Sequence, residues 1–488
     1  MSGNIIVINS DTFRYDLLHG RFIVKGNIRA RLNNLEKLCF RSVEFTRAYH
    51  ASFPTVPNRA DLFTGRFTFT YYDWSPLPRD WVTLPLILRE AGYTCMMIAD
   101  TPHILKDGYN FDRGFNGWMW IRGQENDRYR TSPVNIKLPC NPQKLRNVET
   151  TKQHIRNNYN RRSEEDWIPV KTAMEASRWL EENYGEKFFL YLDFFDPHEP
   201  WDPPKYYVDM YDPGYEGEEV IYPAYGPCNY LTENELSHIR AMYAGEATLV
   251  DRWIGFLLEK IEHLGLTENT TIIFTSDHGF YLGEHNLIGK SIIMGGSQGL
   301  APLYEEVTHI PLVIRFADNL DLKGNMKVDA LVQTPDITAT ILDIAGVKKL
   351  SELGVQGESL LPLARGEKSS IRDIAVSTPS MIKVRAGLRA TITTEDWALI
   401  LAPEESEKET ENVEVTFIVD GEPRTLKPFG EINTELYNHK LDPKQEKDQL
   451  SEETETAKGI YKTFIEFLFN LSAPEEIIKP WLRCKGLN

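Results

Sequence analysis

The sequence predicts an α/β protein: a large, mostly parallel sheet sandwiched by helices, with a small C-terminal α+β domain built on an antiparallel sheet. Three observations carry this. Short, almost wholly apolar runs recur between helical stretches, as strands covered on both faces do. Several of these runs end on polar residues of a chemical kind. The alternation of strand and helix gives way after about residue 385 to closely spaced strand signals.

The first run is Ile5–Asn9, closed by Ser10 and Asp11. Similar runs follow at Cys95–Ala99, Phe188–Phe194, Thr271–Thr275 and Pro311–Phe316. Helices are predicted between them. One covers Lys171–Asn183, and a longer one covers Thr232–Leu264, opened by a Thr232/Glu235 capping box and closed by Gly265. Thr334 as N-cap and Pro335 at the first helical position introduce a helix over Asp336–Ala345, which Gly346 stops. Residues 1–385 therefore form the large domain. Within it, residues 116–168 are polar, rich in Arg and Asn and weakly periodic, an insertion expected to line the mouth of a site. Residues 386–488 form the small domain, with strands at Arg389–Thr393, Trp397–Leu401 and Val413–Val419 and another after Pro423. Asp420-Gly421 signals a hairpin, Glu404–Glu411 a solvated loop tip, and Lys458–Leu468 a closing amphipathic helix.

Composition narrows the function. Of 488 residues, 41% are hydrophobic and 26% charged, which suits a globular protein with a large core. The 54 basic residues against 71 acidic ones give a net charge of −17, which argues against nucleic acid as a partner. No apolar run is long enough to span a bilayer, so no membrane partner is expected. Ile5 follows Met1 too closely for a signal peptide, which predicts the cytoplasm. Cys39, Cys95, Cys140, Cys228 and Cys484 have no zinc-finger or CxxC spacing and read as reduced thiols. A homo-oligomer stays open.

Three polar clusters follow apolar strands, where open α/β sheets bind ligands. They are Asp11; Asp196-Pro197-His198-Glu199-Pro200; and Ser276-Asp277-His278-Gly279. A lone Asp at such a place is ordinarily a helix cap. Three ends together, two with Asp and His, suit a hard or borderline divalent cation. A fourth element is Thr55-Val56-Pro57-Asn58-Arg59, continuing to Thr64-Gly65-Arg66. Pro57 fits the first turn of a helix, which sets Thr55 at a helix N-terminus where N–H groups and the dipole favour an anion. Arg59, one turn on, can reach back to the same spot.

These motifs, in this order and over nearly the whole chain, resemble the sulfatases of the alkaline-phosphatase superfamily. The family signature C/S-x-P-S-R, then x-x-L/F-x-T/S-G-R/K, corresponds to Thr55–Arg59 and Ala60–Arg66. Asn4–Arg14, Pro197-His198-Glu199-Pro200, Thr275–His285, Lys290, Leu303–Pro311, Asp336–Gly346 and Glu435–Pro443 fall in the same order. The resemblance implies an alkaline-phosphatase-like fold and a metal-dependent hydrolase. It implies one divalent metal ion (Mn, Ca, Mg or Zn) held by Asp11, Asp277 and His278 and touching Thr55. Its substrate is a small anionic ester, with Asn58 and Thr101 among the residues that bind it.

The departures from the family pattern choose the chemistry. Thr stands where sulfatases carry the Cys or Ser that becomes formylglycine, and Asn58 replaces the later Ser. A T-x-P-N motif resembles the nucleotide pyrophosphatase/phosphodiesterase branch, and threonine nucleophiles also serve phosphoethanolamine and phosphoglycerol transferases. Thr12 after Asp11, with Asp277-His278, resembles choline sulfatases and phosphonate monoester hydrolases. Thr101-Pro102-His103 replaces the sulfatase K-x-H pair. The expected reaction is cleavage of a phosphate or phosphonate ester through a covalent Thr55 intermediate. Arg59, Lys290 and His198 stabilise equatorial oxygens, and His198 or His103 protonates the leaving group. The alternatives are a sulfate-ester hydrolase, an inactive anion-binding pseudoenzyme, and a two-zinc site that recruits Asp193 or Asp196, His198 and a further His such as His309. Arg14 is expected to support Asp11, His285 to be structural, and Glu306 and His309 either to support the metal ligands from behind or to be satisfied in the core. Tyr71–Trp74 and Trp118–Trp120 are expected to pack.

Overall fold

A computed structural model describes residues 3–322, 324–407, 414–419 and 421–487. Its core is an eight-stranded sheet. In chain order the strands are β1 (Asn4–Ser10), β2 (Val43–Tyr49), β3 (Thr94–Ala99), β4 (Gly117–Trp120), β5 (Phe188–Phe194), β6 (Thr270–Thr275), β7 (Leu312–Arg315) and β8 (Met326–Gln333). In space they run β8-β2-β7-β6-β1-β5-β3-β4. The apolar runs that announce β1, β5 and β6 occupy the middle of this order and are buried along their whole length. Two apolar layers, one on each face, take alternate residues of β1: Ile6 and Ile8 face one, Ile5 and Val7 the other. That is the physical cause of an unalternated run.

The parallel expectation holds for five pairings. The exception is β7, antiparallel to both neighbours, so the Pro311–Phe316 run is a strand of reversed direction. A doubly buried strand reads the same in either direction, so its composition cannot reveal this.

The helices that matter for the site are α1 (Thr55–Thr64), α2 (Val148–Asn158), α3 (Ile168–Asn183), α4 (Glu233–His263) and α5 (Thr334–Ile344). Helix α1 is buried from end to end. It stops at Gly65, whose φ of 67° is left-handed and whose missing Cβ would meet Val355 Cγ1 at 2.9 Å. The Thr232/Glu235 capping box opens α4 as expected. Helix α5 starts one residue earlier than its sequence suggests. Gln333 caps it, its N–H donating to Asp336 Oδ2 at 2.7 Å, and Thr334 lies inside the helix.

The small sheet orders Glu435–Asn438, Trp397–Leu401, Ala390–Thr393, Ala375–Pro379 and Ser52–Phe53. It takes in Ala375–Pro379, ahead of the expected boundary at 385, and its last pairing, with Ser52–Phe53, is parallel. The closing helix spans Thr454–Asn470 and packs Phe464 and Leu468 on this sheet. A hairpin pairs Val415–Val419 with Glu422–Leu426; Asp420 and much of the Glu404–Glu411 tip lie outside the described residues. All five cysteines are free and buried. Among the described residues no helix is long and apolar enough to cross a membrane.

Candidate active site

Strand ends β1, β5 and β6 and the start of α1 meet at one buried point. Asp11, Asp193, Asp277, His278, Thr55 and Arg59 are all buried there. Asp11 and Asp277 are delivered by adjacent parallel strands in register, since Asn9 pairs with Thr275. The N–H of Thr12 donates to Asp277 Oδ1 at 3.1 Å, which ties the two strand ends together. Asp11, Asp277 and His278 are the one group of potential metal ligands among the described residues.

This set fits a divalent cation. Neither carboxylate oxygen of Asp11 receives a hydrogen bond, although both are buried. Arg59 Nη2 stands 3.0 Å from Asp11 Oδ2, an ion-pair contact outside hydrogen-bonding geometry. Burial pushes the Asp11 carboxyl well up, and the neighbouring Asp277 adds to it. A cation would relieve both effects. For Asp277 burial pulls the same way, but His278, Arg59, Lys290 and the Thr12 N–H outweigh it and hold the group below the usual carboxylate range. His278 Nδ1 faces the Gly279 carbonyl at 3.0 Å, which leaves Nε2 as the ring's lone pair toward the site.

The Thr55 hydroxyl occupies the first turn of α1. Its Oγ lies 3.4 Å from His278 Nε2 and 3.5 Å from Lys290 Nζ. Lys290 also stands 3.2 Å from His278 Nε2 and 3.9 Å from Asp11 Oδ1. Burial lowers the Lys290 ammonium, while Asp11 and Asp277 work to hold it charged.

Arg59 departs from its expected role. Its guanidinium is enclosed by three carboxylates. Nε and Nη2 form a fork on Asp193, both at 2.7 Å, and Nη1 donates to Asp277 Oδ2 at 2.7 Å. Burial alone would lower Arg59; Asp193, Asp277 and Asp11 overcome it and keep the group charged. Thr101, expected at the substrate, donates to Asp193 Oδ1 at 2.6 Å, and the Tyr191 hydroxyl donates to Oδ2 at 2.5 Å. Asn58, also expected at the substrate, donates its amide to Thr334 Oγ1 at 3.1 Å, locking α1 to α5.

Above this floor opens a cavity of about 790 Å3. Thr55 and Lys290 form its base, and His103, Glu125, Arg146 and His198 form one wall. His103 Nε2 pairs with Glu125 Oε2 at 3.1 Å. His198 Nδ1 lies 2.6 Å from the Glu199 carbonyl and 3.1 Å from Glu199 Oε2. Burial and then Lys290 lower His198, which favours its neutral form. Arg146 bridges Glu125 and Glu199 and lies over the rings of Tyr222 and Tyr225 at 4.1 and 4.5 Å. Burial raises Glu125, but His103 and Arg146 prevail and hold its carboxyl well below the usual range. Glu125, Arg146, Asn147 and Thr150 come from the 116–168 insertion. At the mouth stands Trp74, expected only to pack, with its ring 5.2 Å from His103.

The remaining residues are placed as follows in the fold. Arg14 binds Asp16, Glu284 and the Phe280 carbonyl rather than Asp11. His285 stacks on Tyr304 at 3.7 Å, a structural contact. No second metal position forms among the described residues. Asp193 is taken by Arg59, Asp196 accepts from Gln124, and His309 sits between Glu305 and the Thr46 carbonyl. Sequence reasoning missed Glu125 and Arg146, and it placed Asp193 only as a second-metal ligand. An acidic residue ending the otherwise apolar Phe188–Phe194 run was the available signal for Asp193.

The floor and the fold together define a class. The sulfatase family profile matches residues 3–347, and the C-terminal profile of N-sulphoglucosamine sulphohydrolase matches residues 301–404. The chain belongs to the sulfatase family of the alkaline-phosphatase superfamily, a family of hydrolases. An arylsulfatase of Clostridium perfringens is 27% identical over 428 residues, covering 76% of this chain and 80% of that one. A multifunctional alkaline phosphatase superfamily protein of Trinickia caryophylli is 26% identical over 426 residues, covering 76% and 78%. In structure, the phosphonate monoester hydrolase of Agrobacterium radiobacter superposes with a TM-score of 0.67 at 21% identity, over 96% of this chain and 95% of that one.

Proposed function

We propose that this hydrolase cleaves a phosphate or phosphonate ester of a small molecule through a covalent intermediate on Thr55. One observation carries the reading: an unmodified threonine hydroxyl is buried at the start of α1, within 3.5 Å of both His278 Nε2 and Lys290 Nζ. Asp11, Asp277 and His278 would hold one divalent cation (Mn, Ca, Mg or Zn). When bound, it supplies the positive charge that makes a neighbouring hydroxyl a better nucleophile. Thr55 gives up its hydroxyl proton to water in the cavity, Oγ attacks phosphorus, the bond between them forms, and the bond to the leaving oxygen breaks. Lys290 and the α1 N-terminus offset the negative charge on the oxygens around phosphorus. Arg59 acts at one remove, fixing Asp11, Asp193 and Asp277 in place. His103, oriented by Glu125, delivers a proton to the leaving oxygen, with His198 on the same wall. Water then releases phosphate or phosphonate from Thr55.

A second reading, sulfate-ester hydrolysis, is favoured by the arylsulfatase relative. It lacks the formylglycine route, because residue 55 is Thr. A sulfated threonine has no geminal hydroxyl to expel the sulfate. An inactive pseudoenzyme is disfavoured by the intact Asp11, Asp277, His278, Lys290 and Thr55.

The deciding experiment is a rate panel of aryl phosphate mono- and diesters, an aryl phosphonate and an aryl sulfate, each with Mn, Mg, Ca and Zn. A quenched turnover should leave the mass of a phosphoryl or phosphonyl group on the Thr55 peptide. Chelation should abolish turnover, and full activity without metal would remove the cation from the scheme. An aryl sulfate turned over faster than every phosphorus ester would establish the second reading.

A further inference from the structure

A second cavity, of about 460 Å3, lies on the far side of the 121–130 loop. Glu125 and Asn126 of that loop line the catalytic cavity, whereas Arg122 and Arg130 line this one. The two linings share no residue. The far wall comes from the end of α2 and the start of α3.

Four cations reach the cavity: Arg122, Arg130, Arg161 and Lys171. Two are matched by carboxylates, Arg122 by a fork on Asp127 and Arg161 by Asp202 at 2.7 Å. The other two are not. Among the described residues neither Arg130 nor Lys171 forms an ion pair or a side-chain hydrogen bond. Arg130 lies over the Tyr129 and Tyr159 rings at 5.2 and 5.9 Å, and its Nε is buried without an acceptor. The Nε of Arg161 is likewise buried and unmatched. Partial desolvation lowers the ammonium of Lys171, an exposed residue, and Arg161 and Arg130 lower it further against Asp166. The two carboxylates of the lining are engaged elsewhere. Asp166 accepts from the N–H groups of Arg162 and Ser163, and Glu175 pairs with Arg178.

The cavity is thus a local positive field in a chain of net charge −17. Unmatched buried N–H donors are costly unless an acceptor arrives, and guanidinium groups match oxyanions best. We propose that this cavity binds a tetrahedral oxyanion of the sulfate or phosphate class, with Arg130 and Lys171 as its principal partners. Trp120 and Tyr129 also line the cavity, and Arg122 lies over both rings at 4.1 and 5.5 Å. The inference does not depend on the chemistry at Thr55, because no residue of the catalytic cavity takes part.

Selenate, whose selenium scatters anomalously, tests it directly when soaked into crystals of the metal-loaded enzyme. The expected result is an anomalous peak beside Arg130 and Lys171, separate from any peak at Thr55. Calorimetric titration of inorganic sulfate into the enzyme should give a binding event that survives Thr55→Ala. The Arg130→Ala/Lys171→Ala double variant should lose that event and keep its hydrolysis of a small aryl ester. A sulfated disaccharide titrated in parallel separates two sources of the group. Tighter binding than free sulfate, erased in the double variant, means that the group arrives on a saccharide; equal binding means a free anion. Lys171→Gln alone, at an exposed position, gives the same comparison should the double variant not fold. No peak in the cavity, or coincident titrations of wild type and variant, overturns the proposal.

Discussion

The floor and the wall of the active site are built by opposite means. The floor is made by strand ends and one helix start. Asp11, Asp193 and Asp277 lie at the carboxyl ends of three neighbouring parallel strands and close on a single guanidinium. The wall is made largely by the connection between β4 and α2, whose Glu125 and Arg146 meet His103 and Glu199 from elsewhere in the chain. Both are buried ion networks, but their tasks differ. In the proposed reaction the floor would fix the reacting atoms through the centre of the sheet. In the proposed reaction the wall would set what enters and where a proton is held.

The largest expected effect tests the floor. Thr55→Ala should lower kcat by about four orders of magnitude or more, the scale on which removal of a nucleophile acts, while metal content stays unchanged. Thr55→Ser should keep substantial activity, since only a methyl group is lost. A near-wild-type rate for Thr55→Ala would remove the nucleophile from the mechanism.

Asp193→Ala tests whether Arg59 is held for structure. It leaves the guanidinium buried with two carboxylates instead of three, and removing one partner of a buried pair costs about 3 kcal/mol or more. A clear fall in Tm is expected, together with a loss of kcat that Asp193→Glu partly restores. An unchanged Tm would mean that Asp11 and Asp277 suffice.

The wall should answer to pH. The Glu125 carboxyl is held below its ordinary value in the folded state. Its contribution to stability is therefore fully present above the unfolded glutamate pKa of about 4.3, and is lost as pH falls below that toward the folded value. Glu125→Gln should flatten the acid limb of a Tm-against-pH curve and, by releasing His103, alter the pH profile of kcat. Parallel curves for wild type and variant would show that Glu125 does not carry this role.

The smallest effect separates binding from bracing. Asn58→Ala removes the amide that joins α1 to α5 and should cost about 1 kcal/mol of stability, with KM unchanged. A rise in KM without a change in Tm would return Asn58 to the substrate.

Most of the floor was legible in the sequence because its physics is local. Apolar runs buried on both faces betray β1, β5 and β6, and the polar residues that end them fall where such sheets bind ligands. Pro57 and Gly65 bound the helix that carries Thr55. The direction of β7 was not legible, since a strand covered on both faces carries no record of its polarity. The helix-start signal at Thr334 was misread by one residue because Gln333 closes the box with Asp336. Glu125 and Arg146 were invisible because the contacts that give them meaning join positions far apart in the chain, and their segment has no period to reveal a face. Arg59 was assigned to the substrate because nothing along the chain said that three carboxylates would converge on it.

The parallel pairing of Ser52–Phe53 with Ala375–Pro379 has a consequence for how this chain can be cut and recombined. The short strand that leads into the Thr55 turn is an edge strand of the small sheet. A segment far along the polypeptide therefore acts as a splint for the turn that carries Thr55. A version truncated ahead of Ala375 would keep Asp11, Thr55, Asp277, His278 and Lys290 yet lose the brace beneath one of them. Exchange of the whole small sheet between relatives, from Ala375 onward, would transplant the support of the Thr55 turn along with it.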